Sequence, residues 1–303
     1  MSILVVGSVA LDSVQTPFGE AERVIGGSAV FFSAAASLLC PVRVVGVVGE
    51  DYPLEKLEFL AERGVDLSGI EQAEGESFFW AGRYSHDLNS RDTLETRLGV
   101  FADFRPRVPE EFRDSSFVFL GNIDPVLQLE VLDQVKSPRV VACDTMDYWI
   151  EGKPDALLKL LKRVDILLVN DAEARQLAGD HNLLRAARWI QERGPEIVVV
   201  KMGEHGATLY GPDWMFFVPG FPLEVIFDPT GAGDAFAGGF MGHLAAAASF
   251  GLDDYKRAMV YGSVTGSFAV ESFSIDRFHS LDEHDIQKRM MQFKEMTAFE
   301  HPI

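Results

Sequence analysis

A glycine-rich turn followed by small residues is the segment of this sequence best suited to chemistry. It reads FDPTGAGDAFAGGF over residues 227–240. Glycines there allow successive N–H groups to point into one concavity, and the helix predicted to follow adds the positive potential of its N-terminus. The backbone amides of the turn are therefore predicted to form an anion hole for a phosphoryl group in transfer. They belong to Gly231, Ala232, Gly233 and Asp234.

Asp234 stands at the first turn of that predicted helix. A carboxylate in this position can accept the proton of an attacking hydroxyl while the phosphoryl group rests on the neighbouring amides. The alternative is that Asp234 only caps the helix and the glycines only form a tight turn, which is the usual explanation of a lone Gly-Asp pair. A second aspartate, Asp228, lies close by in the same segment. This density of glycines and aspartates favours a catalytic base.

The overall charge of the chain argues against one class of partner. With 27 basic and 46 acidic residues, the 303-residue chain has a formal net charge of −19. Nucleic acids require a basic face, and the sequence has no cluster of Lys and Arg that could supply one, so we expect no nucleic-acid partner. ATP remains compatible, because helix N-termini, a few lysines and Mg²⁺ can make one local site attractive to a small anion.

The cysteines and the apolar runs indicate a compartment. Cys40 and Cys143 each lie beside apolar residues and form no CxxC motif, so we expect both to be buried and reduced. The N-terminus runs into a strand-like apolar stretch without a basic leader, and no uncharged apolar run reaches the roughly 20 residues that cross a bilayer. We therefore expect a cytoplasmic protein without a membrane partner.

Short β-branched runs alternate with helix-like segments along most of the chain. The runs are continuously apolar, as expected where helices cover both faces of a sheet. This alternation predicts an α/β fold with a mainly parallel central sheet. The predicted strands cover residues 3–6, 42–48, 117–120, 140–142, 166–169 and 197–200. The predicted helices cover residues 29–39, 54–63, 126–135, 155–162, 182–193 and 235–248, with an amphipathic C-terminal helix over 281–299.

Two stretches interrupt this alternation, approximately 13–25 and 76–105. The second alternates aromatic, apolar and polar residues over short spans with turn residues between them, which is typical of antiparallel strands. We predict that the two stretches form a small β lid over the substrate. The alternative is a long surface excursion, but unstructured loops of that length are uncommon in compact domains.

The segment DPTGAGDAFAGGF resembles the C-terminal signature of the ribokinase-like (PfkB) kinase family, which runs Asp-Thr-x-Gly-Ala-Gly-Asp. Pro229 stands in the second position of that pattern and Thr230 in the third. The resemblance implies that Asp234 is the base, that residues 231–234 form the anion hole and that Thr230 lies beside ATP. It also implies that Asp228 lies near a site for a monovalent cation, with K⁺ as the candidate.

The resemblance extends to the substrate side of the family pattern. GSVALD at 7–12 is similar to the family's first strand and turn, which implies that Asp12 holds substrate hydroxyls. Gly26 and Gly27 match the di-glycine where lid meets core, and together with Ser28 they are assigned to the substrate. Taken alone, Asp12 can be a turn residue and the two glycines an ordinary hairpin.

Two further motifs resemble the nucleotide side of the family. NDAE at 170–173 matches the NxxE pattern, which implies that Asn170 and Glu173 organise Mg²⁺ and phosphate through water. Without the resemblance, these two residues can equally be the cap and first turn of a helix. KMGEHGA at 201–207 resembles the ATP-side strand and turn, which assigns three residues to ATP: Lys201, Gly203 and Gly206. Lys201 can also be a solvated residue at the end of a strand.

The substrate side departs from the family at one position. The family commonly places an asparagine where this chain has Phe31, so the specificity of ribokinase is not implied. Asp144, in DTMDYW, resembles a segment of several sugar-kinase relatives and is assigned to the substrate together with Phe31. Arg83 either reaches the substrate or lies in solvent. Five aromatic residues can either stack on a sugar ring or nucleobase or pack the lid against the core: Phe31, Phe32, Phe79, Trp80 and Tyr84.

These motifs predict an ATP-dependent kinase that uses Mg²⁺ and phosphorylates an alcohol, expected to be primary, on a small sugar or ribonucleoside. The resemblance implies a three-layer α/β/α core and one domain over residues 1–303. A dinucleotide-binding oxidoreductase is disfavoured because G-x-G-x-x-G is missing after the first strand, and no P-loop motif occurs. A catalytically silent sensor on the same fold remains the alternative, against which the retention of Asp234, Asn170 and Glu173 argues. Because the lid often pairs between subunits in relatives, we expect a homodimer.

Overall fold

The chain folds around two β-sheets. The computed structural model describes residues 1–247 and 250–298. The strands found there are β1 (Ile3–Val6), β2 (Ala10–Thr16), β3 (Gly19–Gly26), β4 (Val42–Val48), β5 (Val65–Gln72), β6 (Phe78–Tyr84), β7 (Arg91–Arg97), β8 (Phe117–Leu120), β9 (Val140–Asp144), β10 (Ile166–Asn170), β11 (Ile197–Lys201), β12 (Ala207–Tyr210) and β13 (Met215–Val218).

The larger sheet has nine strands in the order β13-β12-β11-β10-β9-β8-β1-β4-β5. From β11 to β5 all neighbouring strands are parallel, whereas β12 and β13 continue the sheet as an antiparallel edge. Six of its parallel strands were predicted from apolar runs, and β1, β4 and β8 have the predicted bounds. The prediction of an α/β fold with a mainly parallel sheet is therefore confirmed.

Helices cover the larger sheet. They are α1 (Ser28–Ala36), α2 (Glu58–Glu62), α3 (Pro125–Leu132), α4 (Asp147–Gly152), α5 (Pro154–Leu161), α6 (Asp171–Ala178), α7 (Leu183–Gln191), α8 (Ala232–Ala246), α9 (Leu252–Ala269), α10 (Asp276–His279) and α11 (Glu283–Thr297). Apolar side chains from the two faces of the sheet pack against them in two separate clusters. The core therefore lies in two layers, one on each side of the sheet.

Several helix boundaries depart from the predictions. The helix predicted over 54–63 is a 3₁₀ turn (Leu54–Leu57) followed by the short α2. Helix α8 begins three residues before its predicted start, and its predicted last residue, Ala248, lies outside the described residues. The predicted C-terminal helix corresponds to α11, while Phe299 and the end of the predicted domain also lie outside them.

The second sheet is small and has the order β3-β2-β6-β7. It is formed by the two stretches in which we predicted a lid, and a 3₁₀ turn (Gly99–Asp103) follows β7. The antiparallel strands predicted in the second stretch are confirmed by β6–β7, and β2–β3 is antiparallel as well. Strands β2 and β6, which join the two stretches, pair in parallel. A parallel pair joins strands from distant parts of the chain, and no hairpin turn in the sequence signals it.

Helices α1 and α8 lie against each other at van der Waals distance. A Cβ atom added at Gly238, in the middle of α8, would lie 2.3 Å from the carbonyl oxygen of Phe32 and 2.8 Å from Cβ of Ala35. Only glycine fits between the two helix backbones at this point. On its other side, the ring of Phe32 stacks on Phe119 of the sheet, with 4.2 Å between the centroids.

Two further expectations concern the whole chain. Cys40 and Cys143 are free and buried, as predicted. Burial raises the pKa of the Cys40 thiol to about 12, so this sulfur is held in its thiol form. In residues 1–247 and 250–298, no helix is long and apolar enough to cross a bilayer.

Candidate active site

The glycine-rich turn leads directly into α8. Gly231 is the N-cap of the helix and has a left-handed backbone, with φ of 74°. A Cβ atom at this position would lie 2.3 Å from ring carbons of Phe31, which is 2% exposed on α1. The N-termini of α1 and α8 therefore meet at the turn. Phe31 forms the floor under the turn and presents no free face to a ligand.

The four amides predicted to bind phosphate are not equivalent. The amide of Ala232 donates to the carbonyl of Pro229 at 3.2 Å, and the preceding amide of Thr230 donates to Asp228 at 2.8 Å. In the described part of the chain, the amides of Gly231, Gly233 and Asp234 have no backbone acceptor, as expected of the first turn of a helix. These three N–H groups are the ones left for an anion.

Asp234 is half-buried beside these amides. Burial, and then the charge of Asp144, raises the pKa of Asp234 from 3.8 to about 7, while Lys201 and Arg91 act in the opposite direction. A carboxylate with this pKa is partly ionised at neutral pH and is matched to accepting a proton there. The position therefore suits a general base.

Lys201 joins the nucleotide-side residues into one cluster. Its Nζ lies 2.7 Å from Oδ2 of Asp144, and a Cβ atom added at Gly233 would lie 3.0 Å from the same Nζ. Burial lowers the pKa of the Lys201 ammonium, but Asp144 and Glu173 outweigh burial, so that its pKa is raised overall. Lys201 is therefore a charged group between the glycine-rich turn and two carboxylates.

Asp144, which the resemblance assigns to the substrate, is the ion-pair partner of Lys201. Its Oδ1 accepts the amide of Thr145 at 2.8 Å, and its charge acts on Glu173 and Asp234. Strands β9, β10 and β11 are neighbours in the sheet and end at Asp144, Asn170 and Lys201. This register brings the three residues together at the carboxyl edge of the sheet, where open α/β sheets bind ligands.

Asn170 and Glu173 form a capping box at the start of α6. Oδ1 of Asn170 accepts the Glu173 amide and Oε2 of Glu173 accepts the Asn170 amide, both at 2.8 Å. Burial, and then the charge of Asp144, raises the pKa of Glu173 to about 7. A nearby cation would relieve this excess of negative charge, and oxygen atoms of this kind fit Mg²⁺ held partly through water. Among the described residues, no group of three or more His, Cys, Asp or Glu side chains forms a closed metal site.

Asp12 and the di-glycine form a second acidic centre. Asp12 is 6% exposed, and a Cβ atom on Gly26 would lie 1.9 Å from its Oδ2. Burial, and then the charges of Asp228 and Asp234, raises the pKa of Asp12 to about 8. A hydrogen bond from the Gly27 amide acts in the opposite direction and lowers this pKa. Asp12 therefore faces the same site as Asp234. The hydroxyl of Ser28 is turned away, since it accepts the Ser8 amide at 3.1 Å.

The small sheet reaches the core at two points of this site. The hydroxyl of Thr230 donates to the hydroxyl oxygen of Tyr84, at the end of β6, over 3.1 Å. Between β6 and β7, Oδ1 of Asn89 lies 3.2 Å from the position of a Cβ atom on Gly203. Gly203 and Gly206 form the turn after β11, in which the Met202 amide donates to the Gly206 carbonyl at 2.7 Å. The small sheet thus spans from the anion-hole turn to the predicted ATP-side turn.

The aromatic residues proposed for stacking occupy different environments. Phe31 and Phe32 are buried against Gly231 and the sheet, as described above. Phe79 lies on the face of the small sheet opposite to Asp12, and its ring contacts the guanidinium groups of Arg23 and Arg97. Trp80 is the partner of Asp12 across β2 and β6 and shares its face. Trp80 therefore stands beside the substrate-side carboxylate, and Tyr84 faces the anion-hole turn.

Sequence reasoning missed two residues of this site. Arg91 opens β7, and its charge acts on Glu173 and Asp234. Tyr52 follows β4 and is 4% exposed, and its buried hydroxyl has no partner among the described residues. Burial, and then the charge of Asp12, raises the pKa of Tyr52. Neither residue belongs to a motif, and only the packing of the small sheet and the end of β4 on the core identifies them.

Comparison with known proteins gives consistent results. Residues 2–277 match the family model described as pfkB family carbohydrate kinase. The chain is 31% identical over 246 residues to a cytidine kinase of Thermococcus kodakarensis, an alignment that covers 80% of this chain and 87% of the relative.

Solved structures resemble the fold over almost its whole length. The nucleoside kinase of Burkholderia thailandensis in complex with inosine has a TM-score of 0.77 at 18% identity and covers 99% of this chain and 100% of its own. The nucleoside kinase of Methanocaldococcus jannaschii has a TM-score of 0.76 at 18% identity, with 96% and 98% covered. At this level of identity the likeness concerns the fold.

Proposed function

This chain belongs to the pfkB family of carbohydrate kinases, and we propose that it transfers the γ-phosphoryl group of ATP to a hydroxyl, primary by expectation, of a ribonucleoside or small sugar. It is a sugar or nucleoside kinase by its relatives. The observation that carries the finer proposal is the position of Asp234. This carboxyl group adjoins three amides without backbone acceptors at the start of α8, and its pKa is raised to about 7.

Asp234 is proposed as the base of the reaction. It accepts the proton of the acceptor hydroxyl as that oxygen forms its bond to the γ-phosphorus and the bond from phosphorus to the departing ADP breaks. The amides of Gly231, Gly233 and Asp234 stabilise the negative charge on the phosphoryl oxygens. The amide of Ala232 can contribute only by sharing its bond to Pro229.

The nucleotide side is proposed to combine Lys201 with the capping box of α6. Lys201 carries a positive charge close to Gly233, and the Asp144 carboxylate holds it in place. Asn170 and Glu173 would hold Mg²⁺ through water, and Mg²⁺ supplies neutralisation of phosphate charge when bound. The turn at Gly203 and Gly206 would receive the nucleotide. A K⁺ ion near Asp228 remains part of the proposal.

The acceptor side is proposed to consist of Asp12, the Gly26–Gly27 turn and the inner face of the small sheet. Asp12 accepts hydrogen bonds from substrate hydroxyls, and the indole of Trp80 lies against the substrate beside it. The small sheet acts as a lid that excludes water from the reacting phosphate. A ribonucleoside is favoured within this class because the relative with 31% identity is described as a cytidine kinase.

The test is an ATP-consumption screen with Mg²⁺ against ribonucleosides, pentoses, hexoses, sugar acids and sugar phosphates. Asp234→Asn is the blank, because it preserves shape and removes the base; we expect it to reduce kcat by about 10²–10⁴-fold. Asp213→Asn, at an exposed position, is the matched control and should behave as the wild type. A folded Asp234→Asn variant with normal turnover would remove Asp234 from this role. Silence across the panel with ATP binding intact would favour a sensor instead.

A further inference from the structure

Arg91 lies on the face of the small sheet that covers the anion-hole turn. It is the first residue of β7 and the partner of Tyr84 across β6 and β7. Partners across two strands share a face of the sheet. The hydroxyl of Tyr84 bonds to Thr230, which immediately precedes Gly231. The strand register and this hydrogen bond therefore direct the guanidinium of Arg91 toward the start of α8.

The charge of Arg91 acts on Asp234 and Glu173 of the proposed site. Burial raises the pKa values of Asp234 and Glu173, and Arg91 acts against burial at both residues. Burial likewise raises the pKa of Tyr84, and Arg91 opposes it by its charge and by a hydrogen bond. Cζ of Arg91 lies 5.9 Å from the ring centroid of Trp80, on the same face. Arg91 thus stands between the acceptor side and the phosphate side of the site.

The other cations near the site are already engaged. Lys201 is paired with Asp144 at 2.7 Å. Arg97, at the far end of β7, pairs with Glu76 and Glu95, and Arg83 donates to Gln15. Among the described residues, Arg91 forms no ion pair with a carboxylate, and its side chain is exposed. Arg91 is therefore the cation that remains available to the charge of a ligand.

We propose that Arg91 is a catalytic residue that donates hydrogen bonds from the lid to the phosphoryl group during transfer. This inference rests on the proposed function. The new O–P bond forms while the bond to the departing ADP breaks, so negative charge shifts among the oxygens of the phosphoryl group and ADP. A planar, permanently charged guanidinium can bridge these oxygens. The carboxylates of the site cannot supply this charge, and the charge of Lys201 is balanced by its pair with Asp144. The lid therefore brings a reactive group to the site as well as excluding water.

Arg91→Ala tests the proposal against Arg83→Ala. Arg83 and Arg91 lie on the same strand pair, but Arg83 is the partner of Asp92 and faces the opposite side. We expect Arg91→Ala to reduce kcat by about 10²–10³-fold, the range found for removing one donor to transition-state charge. The KM for ATP should change little, and Arg91→Lys should recover part of the loss. Arg83→Ala should retain the wild-type rate.

A binding measurement separates transition-state from ground-state contacts. ADP, aluminium fluoride and the acceptor together mimic the phosphoryl group in transfer. We expect calorimetry to show that Arg91→Ala binds this mimic more weakly than the wild type does and binds ADP alone equally well. The pH midpoint of kcat/KM should also rise, because Arg91 lowers the pKa of Asp234. A variant within threefold of Arg83→Ala in kcat and in affinity for the mimic would overturn the proposal. An equal loss of ATP and mimic affinity with unchanged kcat would overturn it as well.

Failure of the underlying function would look different. A wild-type enzyme that turns over no acceptor in the panel would refute the proposed function, and this inference with it. A wild-type enzyme that phosphorylates an acceptor together with an unaffected Arg91→Ala variant would refute only the role of Arg91.

Discussion

The ammonium of Lys201 and the carboxylate of Asp144 form a buried ion pair that bridges the ends of two strands separated by one other strand. Nζ and Oδ2 are 2.7 Å apart, with side-chain exposures of 16% and 7%. Strand β10, which ends at Asn170, lies between β9 and β11. The pair therefore fixes the spacing of the sheet edge on which we place the nucleotide.

Breaking this pair should destabilise the fold strongly. Lys201→Met leaves Asp144 buried without its partner, for which a loss of about 3–5 kcal/mol in the free energy of unfolding is expected. Asp144→Asn should cost a similar amount, and the double variant less than the sum of the two, as measured by urea denaturation. Arg163→Met, which breaks the exposed pair with Asp133, should change stability by about 1 kcal/mol or less. Additive single losses would contradict a direct coupling.

The pH dependence of turnover should follow Asp234. Its pKa is raised to about 7 by burial and then by Asp144, and the proposed base must be ionised to accept a proton. The value of kcat/KM should therefore rise roughly tenfold per pH unit below about pH 7 and become constant above it. Initial rates with the identified acceptor, measured from about pH 5.5 to about pH 9, provide the check. A flat profile over this range would contradict the assignment of Asp234 as base.

Asp12 should make the ligand-free protein less stable in alkaline solution. Its pKa in the folded chain is raised from 3.8 to about 8 by burial and then by Asp228 and Asp234. The folded state thus holds this proton more tightly than the unfolded state, so the resulting stability is complete below the unfolded pKa and is lost as pH rises through about 8. The melting temperature should fall less steeply with pH in Asp12→Asn than in the wild type. Asp213→Asn should follow the wild type, and identical slopes for all three proteins would refute the effect.

Gly231→Ala should lower the free energy of unfolding by more than the left-handed backbone conformation alone accounts for. A left-handed non-glycine residue costs roughly 1–2 kcal/mol, and the added Cβ would also lie 2.3 Å from the Phe31 ring. Gly179 is a matched control, with φ of 65° and no atom within 4 Å of an added Cβ. Gly179→Ala should therefore lose only the backbone contribution in urea denaturation. Equal losses of stability at the two glycines would mean that the Phe31 ring moves aside without destabilising the fold.

The small sheet is expected to pair two copies of the chain. Leu94 on β7 and Leu98 just after it are 48% and 49% exposed, which leaves apolar surface for a partner. Light scattering at micromolar concentration should give about twice the chain mass of 33.5 kDa. The double variant Leu94→Glu/Leu98→Glu should give monomers, whereas Leu252→Glu, exposed on α9, should not. A monomeric wild type would refute the dimer.

The parallel core was predictable because its strands are buried on both faces. Continuous apolar runs gave the bounds of β1, β4 and β8, and the glycine-rich signature located the start of the site. Strand β5 was missed because it lies at the sheet edge, where VDLSGIEQ mixes exposed and buried residues. Helix α9 was missed because its glycine, serine and threonine residues have weak helix propensity, and packing against α8 determines its conformation.

The sequence motifs identified many residues of the candidate site, but they did not show which of these residues contact each other. The pairing of Asp144 with Lys201 was not predicted, because only the order of β9, β10 and β11 brings the two residues together. Arg91 could not be identified from its surroundings in the sequence, since its relation to Thr230 depends on the pairing of Tyr84 across two strands. These contacts join residues 57 and 146 positions apart, so they arise from tertiary packing and no local pattern encodes them.

The close packing of α1 against α8 has a consequence for how this enzyme can diverge. The two helices have their N-caps at Gly27 and Gly231, the proposed acceptor end and phosphate end of the site, and at Gly238 their backbones are in contact. The packing of the two helices thus fixes the distance between the proposed sites of the phosphoryl donor and the acceptor hydroxyl. New acceptor preferences have to evolve, or be engineered, on the small sheet around Trp80, which can change its side chains without disturbing the phosphotransfer frame.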